Sequence, residues 1–281
     1  MQLDNTRIAI RERDLLDVLD LSLQLIRAYA LPWIIASSVG AIPLALLNWL
    51  LLRPIWNRID QRDWSVYVGM MIVLVVWEWP LASAAVTRYF GHALFVDRPP
   101  VRQIVRDLID SLPQLFFFQI LLRGFIFIPA LFMGPIWMIW ALIFWWMPFV
   151  IWPYLNEVIL LERNPLTKGR GRITTWQRSQ VLHAGSRGNQ LGRWLVSLLF
   201  AGAMTAGMSL AIWYLCGLFS HHWEFGEWMY LVCVPMAMWI VTSFFAVARY
   251  LSYLDMRIRR EGWEVELQIR AEADRLTRQI G

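Results

Sequence analysis

Lysine is all but missing from these 281 residues: Lys168 stands alone among 26 basic residues, and the rest are arginine. Such a skew reflects a GC-rich genome more often than chemistry. Cysteine is as scarce. Cys216 and Cys233 both sit in apolar runs near the same ends of two neighbouring expected spans, where they read as small packing residues. Two such residues make neither a disulfide framework nor a CxxC metal or redox site. Charged residues make up only 17% of the chain, too few for an ordinary water-soluble domain. No Walker A loop is present, because "GRGR" (169–172) is not GxxxxGK[ST]. No Ser/His/Asp order, activated cysteine or intramembrane acid pair marks an enzyme. No cleavable leader is expected either. Met1 to Arg13 is polar and Asp14 to Tyr29 amphipathic, without an unbroken apolar core or a small-residue cleavage site.

What is present is oil. Hydrophobic residues make up 58% of the sequence, with 18 Trp and 15 Phe, and the mean hydropathy is +0.46. The expected class is an all-α polytopic membrane protein. A span needs about 20 mainly apolar residues to cross a hydrocarbon core about 30 Å thick. Six stretches qualify, near Leu31–Leu52, Trp64–Val86, Gln114–Met133, Ile136–Val158, Trp194–Leu218 and Trp228–Val247. The third and fourth join at "FMGPIW" (132–137), a tight turn. Pro80, Pro129, Pro148 and Pro235 within the spans read as supported kinks.

Arginine sets the orientation. With the N-terminus inside, 22 basic residues fall in inner segments and only Arg53, Arg58 and Arg62 in outer loops, with Arg123 left within a span. Both termini are therefore expected in the cytosol of a bacterial inner membrane. Trp49, Trp56, Trp64, Trp137, Trp223 and Trp228 fit an interfacial belt at the outer surface.

Three amphipathic segments are too polar to cross. In "RDLLDVLDLSLQLIRAY" Asp14, Asp17, Asp20, Gln24 and Arg27 recur every three or four positions and define one wet face. "PPVRQIVRDLIDSLP" puts Val101, Ile104, Val105, Leu108, Ile109 and Leu112 on one side, and "ITTWQRSQVLHAG" is a weaker third copy ending at a capping Gly185. Such helices lie in the membrane plane. Each precedes two spans, so the chain reads as three units of surface helix plus transmembrane hairpin. The domains expected are residues 1–30 (cytosolic start and in-plane helix), 31–250 (six spans, inner loops 87–113 and 159–193) and 251–281 (a cytosolic helix).

The amphipathic start "LLDVLDLSLQLIRAY" with its Pro-containing first span, "NEVILLERNP" at the end of the fourth, and the exit "YLDMRIRREGWEVEL" together resemble a family of bacterial six-span proteins. That family is the membrane domain attached to some glycerophosphoryl diester phosphodiesterases, and the resemblance covers nearly the whole chain. These residues leave no room for a phosphodiesterase domain. The resemblance implies a fold and a membrane address, not a reaction.

Charge inside the spans singles out candidates. Glu78 in "VVWEWPLAS" and Arg123 in "ILLRGFIF" each lie about 13–15 Å from the inner end at 1.5 Å per residue. Unpaired charge there costs about 2.5–3.5 kcal/mol on insertion scales, so they are expected to pair. The pair reads either as a register-fixing contact or as a gate or proton-coupled site. Asn156 and Glu157 end the fourth span within expected reach of Arg88 and Arg249, a helix-end anchor or the lining of an inner vestibule. Lys168, Arg170 and Arg172 in the longest inner loop, and Arg257, Arg259 and Arg260 after the last span, are placed to meet anionic headgroups, although positive-inside topology alone accounts for most of that loop. "SHHWEFGE" offers His221, His222, Glu224 and Glu227, at spacings that match no established metal site.

Beyond Gly262, "WEVELQI" alternates as a strand would, but Val265, Ile269, Leu276 and Ile280 keep helical spacing, and Glu266–Arg270 and Asp274–Arg278 are favourable i,i+4 pairs. A helix is expected, its apolar stripe docking on the chain's own inner helices or on a partner. The functional expectation is a non-enzymatic scaffold or assembly partner, with a small transporter or lipid-handling protein as the alternative. No cofactor, metal or nucleic acid is expected. Anionic lipid and a protein partner or second copy are.

Overall fold

The computed structural model describes residues 14–56, 64–94, 99–121, 124, 154–162, 165, 174–183, 187–221, 223 and 226–261. Every regular element among them is helical. Four helices are long and apolar enough to cross a membrane: Ala30–Pro54, Val66–Ala93, Gly192–Phe219 and Met229–Ile258. They coincide with the first, second, fifth and sixth expected spans. Most of the third and fourth lies outside the described residues.

Helix α1 (Leu15–Ala28) starts after Asp14, carries Asp17 in its first turn and Arg27 in its last, and so complements its own dipole. Its wet face is as read from sequence, since Asp14, Asp17, Asp20, Gln24 and Arg27 are exposed. Val18, Leu19 and Leu25 are buried on the protein. Tyr29 breaks the helix, and α2 (Ala30–Trp56) follows at once. α2 lies against α3 (Trp64–Ala82). The approach depends on Gly40, where a Cβ would collide with the carbonyl of Ala82. A turn at Ser83 separates α3 from α4 (Ala84–Ala93), which continues the same span.

Helix α5 (Val101–Leu115) runs past Pro113 into a π-helical turn, Phe116–Leu121. The short α6 (Leu155–Glu157) likewise runs into a π-helical turn, Val158–Glu162. α7 (Thr175–His183) is the third amphipathic segment. α8 (Arg187–Ser220) starts seven residues before the expected span, and His221 ends it in the left-handed region at φ 57°, a conformation histidine tolerates better than most. A third π-helical turn, Met229–Cys233, precedes Pro235 and opens α9 (Val234–Glu261). α9 crosses position 250, where sequence reading placed the edge of the cytosolic segment. It continues because its polar residues there are packed on protein: Ser252 and Asp255 are buried.

α9 is the centre of the molecule, touching α1, α2, α3, α4 and α8. One core cluster joins Val18 and Leu25 of α1 to Val86 and Phe90 of α4 and to Val247, Tyr250 and Leu251 of α9. A second joins Leu19 to Val241, Phe244, Phe245 and Ala248. Indole N–H groups add polar staples between helices: Trp33 donates to the Ser243 carbonyl (3.4 Å), Trp79 to Thr242 (3.0 Å) and Trp77 to Ile120 (3.2 Å).

The two ends of the bundle differ. One gathers arginines and carboxylates. The other gathers rings: Trp64 stacks on Tyr230 with centroids 4.7 Å apart and tilts against Trp56 at 4.5 Å, while Trp223 meets Trp213 and Tyr214. Near these rings Cys216 and Cys233 form no disulfide, and the two thiols are close enough to interact.

Candidate functional site

The basic end is built from charges on several helices. Arg88 sits on α4, Asp107 on α5, Glu157 on α6, Glu162 on the π turn after it, Arg178 on α7, Arg193 on α8, and Arg249, Tyr253, Asp255 and Arg257 on α9. Glu157 and Arg249 meet as sequence reading anticipated, in a two-pronged pair with Nε–Oε1 and Nη2–Oε2 both 3.1 Å. Glu157 is 2% exposed, and the guanidinium also lies over the Trp79 ring at 4.7 Å. An arginine fork held this way is fixed in direction as well as position.

Arg88 does not join that pair. Its Nη2 lies 2.9 Å from Asp107 Oδ2, and its Nη1 donates to the Leu160 carbonyl. Asn156 donates instead to the Ser83 hydroxyl at 3.3 Å. The expected four-residue cluster is thus split: Glu157 keeps Arg249, Arg88 turns to Asp107 and Asn156 to Ser83, with Asp107 the charged member sequence reading missed. His92 approaches the same carboxylate at 3.8 Å.

A third node centres on Glu162. Arg178 reaches it at 2.6 and 3.0 Å, the Tyr253 hydroxyl donates to it at 2.6 Å, and Arg257 Nε stands 3.8 Å away. Burial pushes the Glu162 carboxyl up, but Arg178 and Tyr253 outweigh it and hold the group below the usual carboxylate range. Arg193 lies 3.7 Å from the buried Asp255. Gln114 donates to Thr175 at 2.6 Å, linking the end of α5 to α7.

Two amphipathic helices present apolar side chains outward. α5 buries Asp107 and Ser111 and exposes Val101, Val105, Ile109 and Leu112. α7 buries Thr175 and Ser179 and exposes Trp176 and Val181. Each helix thus turns a few polar groups inward together with Ile104, Leu115 or Leu182, while Arg102, Arg106, Asp110, Gln177 and Gln180 stay exposed beside the outward apolar groups.

A cavity of about 90 Å³ opens among α1, α3, α8 and α9, walled by Leu15, Leu19, Trp79, Trp194 and Phe245, with Arg193 and Arg249 at its edge. Glu78 is elsewhere. It is 6% exposed and accepts a hydrogen bond from the fully buried Asn48 at 2.8 Å. Sequence reading did not anticipate Asn48, and Arg123 lies outside the described residues. Outside them too are Lys168, Arg170, Arg172, Val265, Ile269, Leu276, Ile280, His222 and Glu224, and the side chains of Arg259 and Arg260. Among the described residues no group of His, Cys, Asp or Glu is arranged to hold a metal ion.

No family model matches this chain, and neither a curated protein nor a solved structure matches it.

Proposed function

We propose that the chain is a non-enzymatic, multi-pass scaffold or assembly partner of a bacterial inner membrane, with six spans, both termini in the cytosol and the basic end as its working surface. The observation that carries this reading is the orientation of α5 and α7. Asp107 and Ser111 of α5 and Thr175 and Ser179 of α7 turn inward, and the basic end offers Val101, Val105, Ile109, Trp176 and Val181 outward on a base that ion pairs hold still. A surface of that kind recognises apolar or amphipathic segments at the interface, and the arginines beside it draw anionic headgroups. The likeness to the six-span membrane domains is in keeping with an attachment role. In this reading Val265, Ile269, Leu276 and Ile280 form a second docking stripe.

The test is a triple substitution, Val265→Ser, Ile269→Ser and Leu276→Ser, in the full chain. Membrane insertion and a monodisperse detergent peak are expected to survive while the oligomer or co-purifying subunit is lost. Retention of every associated protein by the triple variant overturns the proposal. External labelling of an introduced cysteine at Glu224, but not at Lys168, checks the topology, and the reverse pattern refutes it.

A second reading, a small lipid-handling protein or transporter, is favoured by the cavity bordered by Arg193 and Arg249. Lipid or solute flux in reconstituted vesicles that is lost in Arg193→Gln, with association unchanged, favours it over the scaffold.

A further inference from the structure

The chain has two cysteines, and the fold brings them together. Cys216 lies three residues before the end of one apolar span, Gly192–Phe219, and Cys233 four residues after the start of the next, Met229–Ile258. α8 and α9 pack on each other across the short link between them. Each thiol therefore falls about one turn inside the ring-rich end, and the two are close enough to interact.

The surroundings fix this meeting point. Trp223 in the link folds back on α8, where its ring takes the space a Cβ on Gly217 would need and meets Trp213 and Tyr214 at 5.7 and 5.6 Å between centroids. Cys233 closes the π-helical turn Met229–Cys233. That wider turn stands just before Pro235, which has no N–H to bond back along the helix.

The two sulfurs are unequal. Cys216 is partly exposed, whereas Cys233 is wholly buried. One can meet a reagent and the other can meet only its neighbour. Thiol–disulfide exchange needs that division, an accessible sulfur that attacks and a second that resolves the mixed disulfide. The place of the pair also gives it leverage. Among the described residues α8 is held chiefly along α9 and the turn that opens it, so a covalent tie at one end of this seam limits how far α8 can part from α9.

We propose that Cys216 and Cys233 are a redox pair, converted by exchange with a disulfide oxidant into an intramolecular disulfide that ties the ring-rich end of α8 to the start of α9. Cys216 Sγ, as the thiolate, attacks one sulfur of the oxidant, whose S–S bond breaks and releases a first thiol. Cys233 Sγ then attacks Cys216 Sγ in the mixed disulfide and displaces the second. The protons of both cysteines leave on the two released thiols, so the oxidant is reduced as the pair is oxidised. The pair does not depend on the scaffold reading. The side from which an oxidant reaches it rests on the proposed topology, which puts this end outside, where disulfides persist.

The test equilibrates the full chain in detergent with oxidised glutathione, denatures it in maleimide and measures its mass, intact and after digestion. The parent is expected to pass from two maleimide adducts to none, to carry no glutathione, to remain a single chain on a non-reducing gel, to yield a Cys216–Cys233 linked peptide and to regain both thiols in a reductant. Cys233→Ser should stop at a glutathione adduct on Cys216, and Cys216→Ser should leave Cys233 unmodified. Amide exchange in the last turns of α8 should slow on oxidation of the parent and not of either variant. Retention of both thiols by the parent, a lasting glutathione adduct on its Cys216 or a disulfide between two chains overturns the pair, and unchanged exchange in α8 overturns the tie. Oxidised glutathione added outside sealed, right-side-out membranes separates the two readings. Loss of both thiols there supports the outward placement, while a pair that oxidises in detergent but not there stands as a redox pair and refutes the topology.

Discussion

The two ends of this bundle are held by different chemistry, and the contrast shows where a single substitution bites. At the basic end, charges on α4, α5, α6, α7, α8 and α9 are joined in near-dry contacts. At the other end Trp56, Trp64, Tyr67 and Tyr230 meet ring against ring. Ion pairs out of water add little net stability, because desolvation offsets attraction, but removing one partner strands the other. Rings lose only what they touched. The basic end is therefore the brittle one and the aromatic end the forgiving one.

Glu157→Gln should expose the difference most strongly. It leaves Arg249 without its carboxylate, at a cost of about 3–5 kcal/mol for breaking a buried pair. The retained contact with Trp79 and the 20% exposure of the Arg249 side chain place the effect at the lower end. Thermal unfolding in detergent measures it, and adding Arg249→Leu should restore most of the loss. A single variant as stable as the parent would contradict the brittleness of this end. Asp107→Asn comes next, since Arg88 keeps the Leu160 carbonyl. About 1–3 kcal/mol is expected, together with faster proteolysis near α5. If α5 stays equally protected, Asp107 is not what holds it.

Trp64→Leu tests the other end. It removes the contacts to Tyr230 and Trp56, and about 0.5–1.5 kcal/mol should be lost for each ring pair beyond area burial. A larger loss than that of Glu157→Gln reverses the ranking of the two ends. The smallest effect is a pH dependence. The folded Glu162 carboxyl titrates below its unfolded value, so its contribution is present above the ordinary carboxylate range and fades as pH falls through the lower, folded value. Glu162→Gln should flatten that part of the acid limb of the stability profile, and an unchanged limb removes Glu162 from the account.

The sequence made some of this legible and not the rest. Long apolar runs located α2, α3 with α4, α8 and α9, and the spacing of Asp14, Asp17, Asp20 and Gln24 located the wet face of α1. Hydropathy could not rank the spans. α8 and α9 are comparably apolar, yet 6% of the residues in the most apolar window of one are buried and 67% in that of the other, because lipid tails and protein interior are equally good company for leucine. Amphipathicity had the same blind spot. Period 3.6 marks two faces on α5, but the strip that meets protein, Ile104, Asp107, Ser111 and Leu115, mixes the two, because polar groups that enter the bundle do so only where partners wait for them. Asp107 was not singled out from the sequence and is buried. Arg249 with Glu157 was legible because each falls at the inner edge of an expected span. Asn48 with Glu78 was passed over because an amide in an apolar run carries no charge to attract notice.

The placement of α9 bears on how the protein is made. The helix that every other long helix leans on is the last of the described helices to leave the ribosome. Glu261 follows Trp56 by 205 positions, about 10–40 s of synthesis at 5–20 residues per second. Through that interval α2 and α4 are without the surface that buries Phe90 and accepts the Trp33 indole. Early spans must wait in the bilayer as a loose, incomplete assembly, open to chaperones and proteases, until α9 is released and draws them together.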